Sequence, residues 1–211
     1  MTTIGIIGAG NIGTNVAKAA IAKGYDVVIS NSRGPETLGG VIDELGAKAT
    51  PSTALGAAEA GDFVVVAVPL KNYLEVPVEP LVGKLVIDAN NYYFERDGNI
   101  EALDNNETTT SEMLQEHLPQ SHVVKGFNNI PAKDIPADGT AAGSENRRAL
   151  PIAGNDADAK ARVIAFLDEL GFDAVDVGPL EDSWRVERDR PAYVVRSNAD
   201  ELRDRVAEAA R

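Results

Sequence analysis

The sequence predicts an α/β fold: a Rossmann-type, doubly wound and mostly parallel sheet with a short C-terminal subdomain. A glycine-rich turn, Gly8-Ala9-Gly10-Asn11-Ile12-Gly13, stands between an apolar strand pattern and a helical one. Strand-like and helix-like stretches then alternate along most of the chain. The run Asp62-Phe63-Val64-Val65-Val66-Ala67-Val68-Pro69 is almost continuously apolar and β-branched, as in a strand covered on both faces. The expected organisation is a dinucleotide-binding domain over residues 1–178 and a small subdomain over 179–211, divided at Gly178-Pro179.

Thr3–Ile7 reads as the first buried strand. Thr14–Lys23 follows as a helix with Val16, Ala19 and Ala20 on its apolar face, closed by Gly24, and Tyr25–Ile29 is the second strand. Pro35 suits the first position of a helix over Glu36–Leu45. Thr50-Pro51-Ser52 reads as a turn before an alanine-rich helix, Ala54–Ala60. Beyond the Asp62–Pro69 strand, Lys84–Ala89 is the next, and the polar stretch Glu95–Asn106 reads as a surface loop. Thr109 and Glu112 have capping-box spacing for a helix through Leu118, stopped by Pro119. His122–Phe127 and Ala149–Gly154 are strands, with Asp134–Arg148 between them as a loop over the site. Asp156 caps a helix reaching Leu170, whose Val163, Ile164, Phe166, Leu167 and Leu170 face the core. Phe172–Val177 is the last strand and Asp200–Ala210 the last helix.

Composition narrows the function classes. The 211 residues carry a net charge of −13, so a nucleic-acid partner, which requires a basic footprint, is not expected. Without cysteine the chain has no disulfides, thiolate metal sites or cysteine nucleophiles, and its two histidines give little support to a metal cluster or a Ser-His-Asp triad. No metal is assigned. No apolar run approaches the roughly eighteen residues of a membrane span and no leader pattern stands at the start, so the expectation is a cytoplasmic protein with no membrane partner.

The cofactor can be read more closely. In a dinucleotide-binding turn Gly8 allows the tight bend, Gly10 lets backbone approach a pyrophosphate, and Gly13 lets helix and strand pack closely. The helix start offers free N–H groups and a positive dipole end to phosphate. An NAD site places Asp or Glu after the second strand; here Ser30-Asn31-Ser32-Arg33-Gly34 stands there, with no acid before Glu36. A guanidinium and hydroxyl suit a 2′-phosphate, so the cofactor reads as NADP(H). The candidate cofactor-binding residues are Gly8, Ala9, Gly10, Asn11, Ile12, Gly13, Asn31, Ser32, Arg33, Val68, Pro69 and Asn90.

Later stretches carry a family resemblance. Asn129-Ile130-Pro131-Ala132 follows a strand, Leu150-Pro151-Ile152-Ala153-Gly154-Asn155-Asp156 leads into a helix, and Asp176-Val177-Gly178-Pro179-Leu180-Glu181-Asp182-Ser183 precedes Glu187. With the glycine turn and Ser32-Arg33, these resemble the coenzyme F420-dependent NADP oxidoreductases. The resemblance implies a homodimer that passes hydride between NADPH and the deazaflavin ring of F420 as co-substrate. Two departures leave the acceptor open. Asn128 stands where the family's deazaflavin users carry histidine, and Arg188-Asp189-Arg190-Pro191 with a charged helix replaces an apolar ending.

Hydride transfer between stacked rings needs proximity and orientation more than a strong acid or base. Asn128 and Asn129 are the candidate catalytic residues, as amides able to donate to a ring gaining charge, with Ile130 and Pro131 lining the substrate pocket. The plainer reading is that these asparagines hold turns at strand ends. Lys125 reads as a strand-end lysine reaching solvent. Tyr92, Tyr93 and Trp184 suit either ring stacking or packing at an interface. Arg185, Arg188, Arg190 and Arg196 suit an anionic coenzyme tail or neutralisation by Glu181, Asp182, Glu187 and Asp189, the latter favoured. The function expected is NADP(H)-dependent oxidoreduction with a small-molecule redox acceptor. F420 is the acceptor that the resemblance implies; the alternatives are a flavin, a quinone or an imine, or a non-catalytic NADP(H) sensor.

Overall fold

The computed structural model describes residues 2–211; Met1, where the expected first domain begins, lies outside the described residues. The chain runs β1 (Thr3–Ile7), α1 (Asn11–Ala22), β2 (Asp26–Ser30), α2 (Gly39–Leu45), β3 (Ala49–Ser52), α3 (Ala54–Ala60), β4 (Phe63–Val66) and β5 (Leu85–Asp88). Two single helical turns, α4 (Phe94–Asp97) and α5 (Glu101–Asp104), lead to α6 (Thr110–His117) and β6 (His122–Lys125). Then come β7 (Ala149–Gly154), α7 (Ala157–Leu170), β8 (Asp173–Asp176) and α8 (Ala199–Ala207).

All strands belong to one sheet ordered β3-β2-β1-β4-β5-β6-β7-β8. From β3 to β6 every neighbouring pair is parallel. β7 turns antiparallel to β6, and β8 is parallel to β7. Strand order reverses between β1 and β4, and the crevice at the carboxyl ends of such strands is where ligands bind in open α/β sheets.

Strand residues alternate between two cores. Ile4, Ile6, Val65, Ile87 and Val124 face α1 and α7, where Val16, Ala20, Val163, Phe166 and Leu167 meet them. Their neighbours Ile7, Val64, Val66, Val86 and Val123 face α3 and α6, against Ala57, Ala58, Leu114 and Leu118. The β-branched runs suit this two-sided burial. A third cluster joins Ala149 and Val175 of β7 and β8 to Val186, Ala192 and Leu202, so the last part of the chain packs on the antiparallel end of the sheet. Among the described residues no helix is long and apolar enough to cross a membrane.

Several sequence expectations need correction. Thr50-Pro51-Ser52 is not a turn but most of β3; as an edge strand it has a free side on which proline's missing N–H is tolerated. The helix expected over Glu36–Leu45 is broken, with a 3-10 turn at Pro35–Thr37 and α2 starting only at Gly39. Glu95–Asn106 holds α4 and α5 rather than a plain loop. Ile164 is 41% exposed and does not belong to the core face of α7. Asp134–Arg148 does not cover the groove. Thr140 N–H donates to Gly171 O and Arg147 pairs with Asp168 and Asp173, which ties the loop to the α7–β8 connection.

Candidate active site

The glycine turn follows β1 at the carboxyl edge. Gly8 has φ 113°, and a Cβ there would lie 2.3 Å from Ala67 O, so only glycine lets β1 pass the end of β4. A Cβ at Gly13 would stand 1.9 Å from Gly8 O, which fixes how closely α1 packs on the turn. Gly10 is different: a Cβ on it would meet no atom within 4 Å, because it faces an open groove. Gly10 is also the N-cap of α1, with no side-chain cap and no acid in the first turn. The first N–H groups and the positive dipole end are therefore left for an anion.

The groove has two chambers. The smaller, 220 Å³, is lined by Gly8, Ala9, Gly10, Asn31, Ser32 and Arg33, with Val68, Pro69, Asn72 and Glu75 opposite. Arg33 is exposed at its rim. Its N–H donates to Asn31 Oδ1 at 3.0 Å, an Asx turn that sets the loop. Its guanidinium makes no hydrogen bond or ion pair among the described residues. The larger chamber, 460 Å³, is lined by Asn11, Ile12, Ala89, Asn90, Asn91, Tyr93, Arg96, Asn128, Ile130, Pro131, Tyr193 and Val194. Gly10, Ala67, Val68 and Pro69 line both, so the chambers form one continuous groove. Of the sequence candidates, Gly13 and Asn129 line neither.

Two amides in the larger chamber each keep a buried polar atom without a partner. Asn90 Oδ1 accepts the Val68 N–H at 3.1 Å, which fixes the side chain and leaves Nδ2 as an unused donor. Asn128 Nδ2 donates to Val186 O at 2.9 Å, which leaves Oδ1 as an unused acceptor. Asn128 Nδ2 also donates to Asn91 Oδ1 at 3.3 Å, so both its hydrogens are used and Asn90 carries the chamber's free amide donor. Buried polar atoms are rarely left unpaired, and here both are on the walls of a cavity. Asn129 stands behind the wall, its Oδ1 accepting the Val194 N–H.

Phe127 and Val194, at φ 61° and 59°, hold a conformation that bulky and β-branched residues avoid. Phe127 turns the chain after β6 to bring Asn128 to the chamber, and Val194 flanks Tyr193 opposite. Backbone strain of this sort collects at functional sites.

Lys125 overturns its sequence reading. It does not reach solvent but is wholly buried below the chamber, donating to Thr110 Oγ1 at 2.6 Å, Asn90 O at 3.1 Å and Ser111 Oγ at 3.2 Å. A sequence pattern gives no sign of this, because the partners lie on other elements. Tyr93 and Tyr193, which line the chamber, hydrogen-bond through their hydroxyls. Tyr92 and Trp184 instead line a separate cleft. Arg185, Arg190 and Arg211 stack over Trp184 at 4.6, 5.0 and 5.3 Å, while Arg188 pairs with Glu95 and Arg185 with Asp182. His117 bonds Val76 O, and His122 faces Asp156.

This geometry can be compared with known proteins. The model of the family described as NADP oxidoreductase, coenzyme F420-dependent, matches residues 3–92, which hold the glycine turn, Arg33 and Asn90. Over nearly its whole length the chain is also similar to the hypothetical protein SMa0349 of Sinorhizobium meliloti, at 33% identity and TM-score 0.81, covering 93% of this chain and 95% of that one. The chain belongs to the F420-dependent NADP oxidoreductase family. NADP(H) is the cofactor of that family. A structure described as a candidate F420-dependent NADP reductase from Arthrobacter sp. FB24 is 26% identical with TM-score 0.73, covering 88% of this chain and 87% of that one. Metalloreductase STEAP3 of Rattus norvegicus is 29% identical over 189 residues, 87% of this chain. The chain spans about a third, 35%, of that curated relative's length.

Proposed function

We propose that the continuous groove holds NADPH and a flat ring acceptor. The carrying observation, among the described residues, is an unpartnered guanidinium at one end, Arg33, and unpartnered amide atoms of Asn90 and Asn128 at the other. Ser32 and Arg33 receive the 2′-phosphate with Asn31 setting their loop, and Gly8 to Gly13 with the start of α1 receive the pyrophosphate. Val68, Pro69 and Asn90 flank the nicotinamide end, and Asn128, Ile130 and Pro131 the acceptor. NADPH supplies the hydride. The protein's residues orient the two rings and exclude water, which is most of what such a transfer requires.

F420 is the acceptor that family membership favours. A second reading, reduction of a flavin, quinone or imine, is supported by Asn128, whose side chain presents an amide oxygen where the resemblance expects histidine. Residues 1–178 act as the NADP-binding domain and 179–211 as a small C-terminal subdomain, in a homodimer. The test is NADPH oxidation with F420 as acceptor and NADH as control. Rapid NADPH-specific transfer supports F420; tight NADPH binding without transfer to it excludes F420 and turns the search to the other acceptors.

A further inference from the structure

Hydride addition leaves an electron pair on the heteroatom of the reduced group, and that atom has to be protonated. Among the described residues lining the larger chamber, Tyr93 and Tyr193 alone carry a hydroxyl that can pass a proton to a neighbouring atom gaining charge; the others are apolar, amides, or the guanidinium of Arg96. Their hydroxyls are in direct hydrogen-bonding contact. Two cations sit over the Tyr93 ring, Arg96 at 4.9 Å and Arg188 at 5.1 Å. No cation–π contact is made to Tyr193 among the described residues. Burial, and then the Tyr93 hydroxyl, push the Tyr193 hydroxyl above the ordinary phenol range, so it keeps its proton at neutral pH. Tyr193 also stands beside the strained Val194, whose N–H is held by Asn129. The backbone distortion is thus located where it presents this side chain.

We infer that Tyr193 is the proton donor of the reaction and that Tyr93 relays to it, for an acceptor whose reducible group ends in nitrogen or oxygen. This rests on the larger chamber being the acceptor site. The acceptor gains a hydride with its electron pair from NADPH, which is oxidised to NADP⁺. Its heteroatom takes the Tyr193 proton as that O–H bond breaks. The Tyr193 oxygen in turn takes the Tyr93 proton, and the Tyr93 oxygen, whose ring lies under Arg96 and Arg188, keeps the electron pair of that bond until water reprotonates it.

The test compares wild type, Tyr193→Phe and Tyr93→Phe with NADPH and four acceptors: F420, FMN, menadione and pyrroline. Turnover, the solvent deuterium isotope effect and NADPH affinity are measured. Tyr193→Phe is expected to lower kcat roughly 100-fold, the lower end for loss of a general acid. NADPH affinity stays unchanged and the solvent isotope effect disappears. Tyr93→Phe loses activity to a smaller degree. Wild-type kcat and isotope effect in Tyr193→Phe would overturn the donor role while leaving the acceptor chamber standing. Equal losses of kcat and NADPH affinity would also overturn it, as the mark of a packing residue. A wild type that reduces none of the four would overturn the acceptor chamber and the donor together.

Discussion

Lys125 Nζ stands 3.7 Å from the Asp88 carboxylate, and both side chains are wholly buried. The Glu187 carboxylate approaches the same ammonium to 3.6 Å from the far end of the chain. Asp88 also accepts the Asn90 N–H at 2.9 Å, while Lys125 donates to Asn90 O at 3.1 Å. The ion pair therefore grips both sides of Asn90, whose amide forms the chamber wall.

Breaking that pair by Lys125→Met should cost about 3–5 kcal/mol, because a buried carboxylate is left uncompensated. Adding Asp88→Asn should restore part of the loss, as expected of groups in one network. Chemical denaturation of the single and double variants checks this; strictly additive losses would show that the two do not act as a pair.

The glycine turn should separate packing from binding. Gly13→Ala forces a Cβ to 1.9 Å from Gly8 O and should destabilise the fold by about 1–3 kcal/mol. Gly10→Ala meets no protein atom within 4 Å, so its stability should stay within about 0.5 kcal/mol of wild type. NADPH affinity should nonetheless fall about tenfold, the loss of a hydrogen bond to a charged group. Thermal melts and fluorescence titration together distinguish the two.

Asp97 gives a pH signature. Burial would raise its carboxyl, but hydrogen bonds from the Arg96 guanidinium and from the Tyr93 and Lys71 N–H groups outweigh that and hold it below the ordinary range. Its folded value is thus depressed. Its contribution is present above the unfolded value of about 3.9 and fades as pH falls through the folded one. Wild type should melt above Asp97→Asn at neutral pH, and the gap should close in acid. A gap that stays constant down to about pH 3 would contradict this.

Asn128→Ala removes a buried side-chain acceptor of the larger chamber that has no partner among the described residues, and leaves Val186 O without its 2.9 Å donor. Acceptor KM should rise about tenfold, one hydrogen bond's worth, with NADPH affinity unchanged. Steady-state kinetics against acceptor concentration, with a parallel NADPH titration, read the two effects separately.

The legible parts of this protein were the local ones. The glycine turn, the buried strand runs, the Asp156 cap and the absence of an acid between Ser30 and Glu36 are each contained within a few residues, and local spacing carries their physics. The direction of β7 was not legible, because nothing in Ala149–Gly154 records which way its neighbour runs. β3 was hidden by Pro51, which marks a turn in most contexts and an edge strand in this one. Lys125 looked exposed by residue type, since its partners are set by the meeting of β5, β6, α6 and the stretch near Glu187. Tyr193 offered no signal at all: its hydrogen-bond partner Tyr93 is 100 residues away in sequence.

The most direct measurement is calorimetric titration of NADPH and NADH into wild type and Arg33→Ala. NADPH should bind wild type roughly 10- to 100-fold more tightly than NADH, the worth of charge-assisted bonds to the 2′-phosphate, and Arg33→Ala should erase that preference while leaving NADH affinity alone. Equal affinities for the two nucleotides in wild type, or equal losses of both in Arg33→Ala, would contradict the placing of the 2′-phosphate at Arg33.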